Sequence, residues 1–161
     1  MRRAARDEGA VLVLVAVFLL VLLAVAALAI DLGDFRAQRR QLQTAADAAA
    51  LAAAQELAVK AATVGTTCED VDAVARRALA ADGLADAFIH RIGHGIGLDA
   101  HEDPYLVAGN ATPLAPGHAF SIEPGVYFPG RFGMRLEDIV VADAAGPDRL
   151  NVAARDLAVV A

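Results

Sequence analysis

A run of twenty consecutive apolar residues at positions 11–30 is the feature that most constrains how this chain folds. The run contains no charged residue, glycine or proline. As a helix it would measure roughly 30 Å, which is the thickness of the hydrocarbon core of a bilayer. A secretory signal peptide is the alternative, because arginines precede the run, but its apolar segment is usually shorter. The run therefore predicts a single-pass transmembrane helix.

The charges of the chain indicate which partners it can have, but they do not determine its orientation in the membrane. Three arginines precede the apolar run and three follow it closely, so the positive-inside rule does not fix which side of the membrane the rest occupies. The net charge is −6, and no basic patch is evident, which argues against a nucleic-acid partner. The single cysteine, Cys68, excludes an intrachain disulfide.

Beyond the apolar run, the composition predicts a helical part and then a mixed part, which contains both a helix and β-strands. Residues 31–57 are rich in Ala, Leu, Gln and Arg and contain no proline, which favours a helix that continues out of the membrane. A break follows at residues 64–67, where Thr67 is placed to cap a second helix that Gly83 ends. The fold class is therefore α+β, with an antiparallel unit over about residues 62–161. The predicted strands are residues 87–90, 119–123, 126–128, 134–142 and 157–160.

Histidine and glutamate residues in the mixed part have the surroundings of metal ligands. His94 lies in the sequence Gly-His-Gly-Ile-Gly at residues 93–97, where the missing side chains let backbone pass close to an ion or a substrate. Glu123 ends an apolar run, and Glu137 lies in a predicted strand, where alternation places its carboxylate opposite Leu136. An inward carboxylate is costly unless it is paired or binds a cation. Imidazole and carboxylate together favour Zn, Mn or Co.

Three short motifs resemble the signature of the M24 metallopeptidases, the pita-bread family of methionine aminopeptidases, aminopeptidase P and prolidases. They are Gly-His-Gly-Ile-Gly at 93–97, Ser-Ile-Glu-Pro-Gly at 121–125 and Arg-Leu-Glu-Asp at 135–138. The phrase His-Glu-Asp-Pro-Tyr at 101–105 is most similar to the branch that cleaves before proline. The resemblance implies a partial pita-bread domain over residues 58–161, related to Xaa-Pro aminopeptidases. The implied reaction is hydrolysis of the N-terminal bond of a peptide with proline at the second position, by a water that a divalent metal activates.

The same resemblance implies roles for individual residues. Family members hold two divalent ions, such as Mn, Co or Zn, with two aspartates, one histidine and two glutamates. By this resemblance His94 and Glu123 bind one ion, and Glu137 bridges both. His101 matches the histidine that contacts substrate and stabilises the tetrahedral intermediate. His90 and Arg135 match positions that bind substrate or support the ligands.

The aspartate pair of the family has no counterpart in this chain. Neither Asp31 nor Asp34 has a second aspartate eleven residues later, because positions 42 and 45 are leucine and alanine. We therefore expect the chain to hold at most one ion well, and to be inactive or impaired as a peptidase on its own. Because the ligand set is incomplete, the sequence does not decide whether the chain is an enzyme. A dimer or a complementing chain that supplies the missing aspartates is the alternative.

The N-terminal segment resembles a different group of proteins. The sequence Ala-Ile-Asp-Leu-Gly at 29–33 and the Ala-rich stretch at 39–52 are similar to the N-terminal segment of TadG-type Flp pilus-assembly proteins, which are bacterial and membrane-anchored. The sequence thus divides into an anchor at residues 1–57 and a peptidase part at residues 58–161. We expect a location in the bacterial inner membrane. The alternative function is a membrane-anchored pilus-assembly or interaction protein with a vestigial peptidase module.

Overall fold

The computed structural model describes residues 4–151, and the surroundings of side chains from residue 9 onward. It contains the long helix α1 (Ala4–Ala61), the helix α2 (Cys68–Ala81) and a short 3-10 helix (Ala85–Ala87). These helices and the antiparallel strands that follow them confirm the predicted α+β class. The strands are β1 (Gly93–Gly95), β2 (Glu102–Leu106), β3 (Ala119–Ile122), β4 (Gly125–Phe128), β5 (Phe132–Arg135), β6 (Asp138–Asp143) and β7 (Gly146–Arg149).

The chain divides into two compact units, Met1–Ala45 and Ala46–Ala161. In the first unit, the large apolar side chains of residues 11–30 are exposed along α1. The helix segment Gly9–Ala61 is long and apolar enough to cross a membrane, judged by length and composition only. A signal sequence near an N-terminus meets the same criterion. The transmembrane assignment therefore stays a prediction.

One hydrophobic core organises the second unit. The end of α1 contributes Leu51, Ala54 and Ala58, which are fully buried, although residues 46–57 belong to the segment predicted as an anchor. Helix α2 contributes a stripe of buried residues spaced four apart, as expected for one helical face packed on a core. The sheet adds large side chains from β3 and β6. These further core residues are Val71, Ala75, Leu79, Phe120, Ile122 and Val140.

Helix α2 begins and ends where the sequence predicts. The Thr67 hydroxyl accepts a hydrogen bond from the backbone N–H of Asp70 at 3.3 Å and donates one to the Asp70 carboxylate at 2.6 Å. Gly83 follows the helix with a φ of 74°, a left-handed conformation that glycine adopts without steric cost. These two ends fix the length of α2 and hence the position of its buried face.

The sheet brings β1 into the interior of the domain. Its five strands have the order β2-β1-β3-β6-β7, and each neighbouring pair is antiparallel, while β4 and β5 form a separate two-stranded sheet. Between His94 and Gly95 the register of β1 against β2 shifts, which marks a bulge. Strands β3 and β4 confirm the predictions at residues 119–123 and 126–128. Strand β1 lies between β2 and β3, so His94 has a neighbouring strand on each side.

Two strand predictions are wrong. Residues 87–90 form no strand, because the Arg76 guanidinium binds the carbonyl oxygens of Phe88 and His90, at 3.2 and 2.6 Å, and holds this segment outside any ladder. Residues 134–142 form two strands instead of one, and Glu137 lies in the link between them. Its side chain is 41% exposed, so the predicted inward orientation within a strand is also wrong. The predicted strand at 157–160 lies outside the described residues.

Arg149 connects the end of α1 to the sheet. Its guanidinium donates a hydrogen bond to Glu56 at 2.7 Å and lies 3.3 Å from the carboxylate of Asp138. The hydrogen bond from Arg149 lowers the pKa of Glu56 below its ordinary value of 4.5, against the opposing effect of burial. The ion pair therefore stabilises the fold above that ordinary value, and this contribution is lost as the pH falls through the lowered pKa.

The variant Glu56→Gln should lose less stability on acidification than the unchanged protein. We expect the difference in free energy of unfolding between the two proteins to shrink as the pH falls from about 6 to about 3. The effect should be small, because the Glu56 side chain is 45% exposed and water screens the pair. Urea denaturation at a series of pH values measures it. Parallel pH profiles of the two proteins would contradict the prediction.

Candidate metal centre

The three predicted ligands converge where two strands and one link meet. His94 is the middle residue of β1, Glu123 directly follows β3, and Glu137 lies between β5 and β6. One ligand atom from each of the three lies within 4.8 Å of the others. Two ligand atoms on one ion are separated by at most roughly 4.4 Å, so small side-chain adjustments bring all three onto a single ion. The residues present therefore fit one divalent cation.

The imidazole of His94 is oriented as a metal ligand requires. The side chain is buried, and its Nδ1 lies 3.0 Å from the carbonyl oxygen of Gly95. Because a carbonyl only accepts hydrogen bonds, this contact requires the proton on Nδ1 and leaves the lone pair on Nε2. Nε2 lies 3.3 Å from Oε1 of Glu123. The backbone thus selects the tautomer that presents nitrogen to a cation beside a carboxylate.

A buried serine joins the two buried ligands. The Ser121 hydroxyl accepts a hydrogen bond from the backbone N–H of His94 at 3.1 Å and donates one to Oε1 of Glu123 at 3.3 Å. Gly93 permits this approach, because a Cβ there would lie 1.9 Å from the Ser121 carbonyl oxygen. The sequence alone predicted no role for Ser121. Ser121 lies two residues before Glu123, and such residues share one face of an extended strand. This spacing could have indicated its contact with Glu123.

Arg135 contacts both glutamates. Its guanidinium lies 3.1 Å from Oε2 of Glu123 and 3.4 Å from Oε2 of Glu137. Two carboxylates brought to one place repel each other, and a cation shared between them offsets this repulsion. The sequence predicted that Arg135 binds substrate or supports the ligands. In the structure Arg135 contacts two of the three predicted ligands directly.

The predicted histidines border the same site. His101 is exposed, and the centroid of its ring lies 4.1 Å from that of His94. His90 packs edge-on against Phe88 and Tyr127, and its buried Nε2 has no hydrogen-bond partner among the described residues. The structure therefore brings together every residue that the sequence singled out. Four of these residues, His90, His101, Glu123 and Arg135, line a cleft of about 590 Å³ together with Arg91, Tyr105 and Val107.

An ion pair on α2 between a buried aspartate and a partly exposed arginine holds the segment that carries His90. Asp72 is fully buried, binds the Arg76 guanidinium at 2.6 and 3.2 Å, and accepts a hydrogen bond from the backbone N–H of Ile92 at 3.0 Å. The Arg76 guanidinium also lies 4.5 Å from the centroid of the Phe88 ring. The sequence motifs did not predict this ion pair. Asp72 lies within the apolar stripe of α2, four residues before Arg76. This spacing on a helix indicates an ion pair.

A model of metallopeptidase family M24 matches residues 28–144, which is more than half of the chain. The chain belongs to metallopeptidase family M24. The match begins before residue 58, so the boundary drawn there from the sequence stays a prediction. Enzymes of this family use divalent metals, in agreement with the ligand types gathered at the site.

Similar curated relatives of the chain include proteins named as dipeptidases. The probable dipeptidase PepE of Mycobacterium bovis is 56% identical over 107 residues, which cover 66% of this chain and 28% of the relative. The Xaa-Pro dipeptidase of Lactobacillus helveticus is 44% identical over 107 residues, which cover 66% of this chain and 29% of the relative. The chain thus spans less than a third of the length of these relatives.

Solved structures of the family share the fold. The dipeptidase PepE of Mycobacterium ulcerans aligns with a TM-score of 0.70 at 54% identity, covering 71% of this chain and 31% of the other. The X-Pro aminopeptidase of Thermotoga maritima aligns with a TM-score of 0.69 at 37% identity, covering 71% of this chain and 32% of the other. Prolidases are among the other similar structures, which confirms the predicted relationship to the pita-bread fold.

The variant Ser121→Ala should weaken metal binding although it removes no ligand. We expect a loss of affinity of about tenfold or more, because groups that orient ligands typically contribute this much. Isothermal titration calorimetry with Mn²⁺ or Zn²⁺ measures it on the full-length chain in detergent. Thr63→Ala is the control, since it removes an exposed hydroxyl that pairs with Thr66. Equal affinities of Ser121→Ala and the control would show that the hydroxyl does not orient the ligands.

Proposed function

We propose that the C-terminal part of this chain is a metallopeptidase module that binds one divalent ion and engages peptides with proline at the second position. The observation that carries the proposal is the convergence of His94, Glu123 and Glu137 within 4.8 Å of one another in a chain of the M24 family. The substrate class is supported by relatives named Xaa-Pro dipeptidase and X-Pro aminopeptidase. In this proposal the three residues are the metal ligands.

The lining of the cleft suits the binding of a peptide bond. Bound at the three ligands, a divalent ion would act as a Lewis acid towards a peptide carbonyl and lower the pKa of a water. The exposed His101 lines the cleft beside His94 and can donate a hydrogen bond to a carbonyl oxygen of the peptide. His90 also lines the cleft, and its Nε2 atom has no hydrogen-bond partner among the described residues, so it can form a hydrogen bond with the peptide. Arg135 keeps the two glutamates together.

We propose further that this ion site is incomplete as a peptidase centre. The family pattern requires an aspartate pair in addition to the histidine and the glutamates, and this sequence lacks a pair with that spacing. Among the described residues, the cluster at this place consists of His94, Glu123 and Glu137. The module would then bind an ion and a peptide while its hydrolysis is impaired, unless a second chain supplies the missing aspartates.

Metal-dependent hydrolysis of Xaa-Pro peptides by the full-length chain should stay close to the uncatalysed rate. Titration with Mn²⁺ or Co²⁺ should nevertheless show binding, which Glu123→Gln weakens by about tenfold or more, because it removes a charged ligand. Glu102→Gln is the matched control, since that carboxylate accepts a hydrogen bond from the backbone of Asp99 and lies outside the ligand cluster. Binding is measured by calorimetry and hydrolysis by release of proline.

Two outcomes would count against this proposal. Efficient hydrolysis that depends on Mn²⁺ or Co²⁺ and disappears in Glu123→Gln would overturn the impaired activity and establish an active enzyme. Failure of the unchanged chain to bind either ion would overturn the metal site itself. Sedimentation of the chain as a dimer together with efficient hydrolysis would favour complementation by a second chain.

We also propose that the N-terminal part of α1 anchors the protein in the bacterial inner membrane. The supporting observations are the exposed apolar surface of residues 11–30 and a window of mean hydropathy 3.4. The resemblance of residues 29–33 and 39–52 to TadG-type proteins agrees with a bacterial anchor. The same helix supports the second candidate function, a pilus-assembly or interaction protein in which the peptidase module only binds.

The full-length chain should sediment with membranes and be released by detergent but not by alkaline carbonate. The double variant Leu20→Arg with Val21→Arg should shift it towards the soluble fraction, because each arginine at the centre of a membrane helix costs about 2.5 to 3.5 kcal/mol. The matched control is Leu42→Arg, an exposed residue of α1 outside the apolar run. Recovery of the unchanged, uncleaved chain in the soluble fraction would contradict the anchor.

A further inference from the structure

A row of exposed apolar side chains, here called the α1 stripe, continues along α1 beyond the apolar run. Between residues 31 and 45 the large apolar residues are Leu32, Phe35 and Leu42, and Leu28 precedes them near the end of the apolar run. All four side chains are exposed. At 3.6 residues per turn they fall within an arc of about 80° on the surface of the helix. Most other residues between 31 and 45 are charged or polar, so this part of α1 has one apolar face.

The spacing of the α1 stripe is that of a coiled coil. Its members follow one another at intervals of four, three and seven residues, which are intervals between the a and d positions of a heptad repeat. Leu28, Phe35 and Leu42 then fall at d, and Leu32 falls at a. Arg39 occupies the next a position. A single polar residue at an a position sets the register of a coiled coil at a cost in stability.

The charges beside the α1 stripe match between two helices and not within one. Asp31 lies at the g position on one side of the stripe, and Arg36 lies at the e position on the other side, so the two cannot pair within one helix. Among the described residues, neither forms an ion pair. The charged neighbours three residues further along, Asp34 and Arg39, have the same sign as Asp31 and Arg36, respectively. In a parallel coiled coil, Asp31 of each copy would lie beside Arg36 of the other.

We propose that the α1 stripe is the contact of a parallel coiled-coil dimer between two copies of this chain. The inference rests on the proposed membrane anchor, because two helices that cross a membrane in the same direction are parallel. The dimer removes the apolar side chains of the stripe from water, and its two-fold symmetry forms the Asp31–Arg36 pair twice. The stripe contains none of the metal ligands, so the dimer does not depend on a bound ion.

Cysteine cross-linking of the full-length chain in membranes tests this contact. A disulfide requires Cα atoms within about 7 Å of each other, and two copies of one d position meet this condition in a parallel dimer. Oxidation of Leu42→Cys should therefore give mostly disulfide-linked dimer on a non-reducing gel. Thr44→Cys is the matched control, because residue 44 is also exposed but lies on the opposite side of the helix, and it should give at least about fivefold less dimer. The unchanged chain supplies the baseline, since its single cysteine, Cys68, is buried.

Charge reversal tests the ion pair between the two copies. Arg36→Glu places a like charge beside Asp31 of the other copy and should weaken the dimer about threefold or more. Combining it with Asp31→Lys should recover most of the affinity, because the opposite charges then face each other again. Arg40→Glu is the matched control, since it makes the same charge change at a position outside the contact. Sedimentation equilibrium of the purified chain in detergent measures the dissociation constant of each dimer.

The outcomes separate this inference from the proposed anchor. No dimer in Leu42→Cys, as an antiparallel pair or a different partner would give, or equal amounts of dimer in Leu42→Cys and Thr44→Cys, would overturn the parallel contact even if the chain sediments with membranes. Equal weakening by Arg36→Glu and Arg40→Glu would overturn the ion pair between the copies. Dimer formation by Leu42→Cys in a chain recovered from the soluble fraction would support the contact and overturn the anchor.

Discussion

The close approach of β1 to β3 is the contact on which the rest of the site depends. Glycine at position 93 leaves space for the Ser121 carbonyl oxygen, and the Ser121 hydroxyl then links the backbone of His94 to the carboxylate of Glu123. Both ligands are buried, so their positions are set by packing and hydrogen bonds. Glu137 and Arg135 enter from the neighbouring link and strand. The ligand cluster therefore follows from how two strands meet.

A second constraint comes from α2. Its ion pair, Asp72 and Arg76, forms hydrogen bonds with backbone groups of residues 88–92 that would otherwise require a strand partner. The segment is thereby held beside the sheet without joining it, and it presents His90 and Arg91 to the cleft. A helix that the sequence suggested only as a packing element thus determines one wall of the site.

The sequence predicted the chemistry of the site better than its secondary structure. Motifs that carry His94, Glu123 and Glu137 indicated which side chains would meet, because metal ligation demands particular residue types in short patterns. The strands β1 and β2 were not predicted, since Gly-rich and Pro-containing segments have low intrinsic strand preference and form strands here through pairing with neighbours. The failed strand at 87–90 depends on Arg76, which lies more than ten residues away and gives no local signal.

We propose that this chain holds half of a two-ion centre and binds one ion at His94, Glu123 and Glu137. Anomalous X-ray diffraction from crystals grown with Mn²⁺ tests it directly, because it locates each ion relative to its ligands. We predict one peak per chain, about 2.0 to 2.2 Å from a nitrogen of His94 and from oxygens of the two glutamates. Two peaks that share Glu137, or a peak bound elsewhere with none at these residues, would contradict the claim.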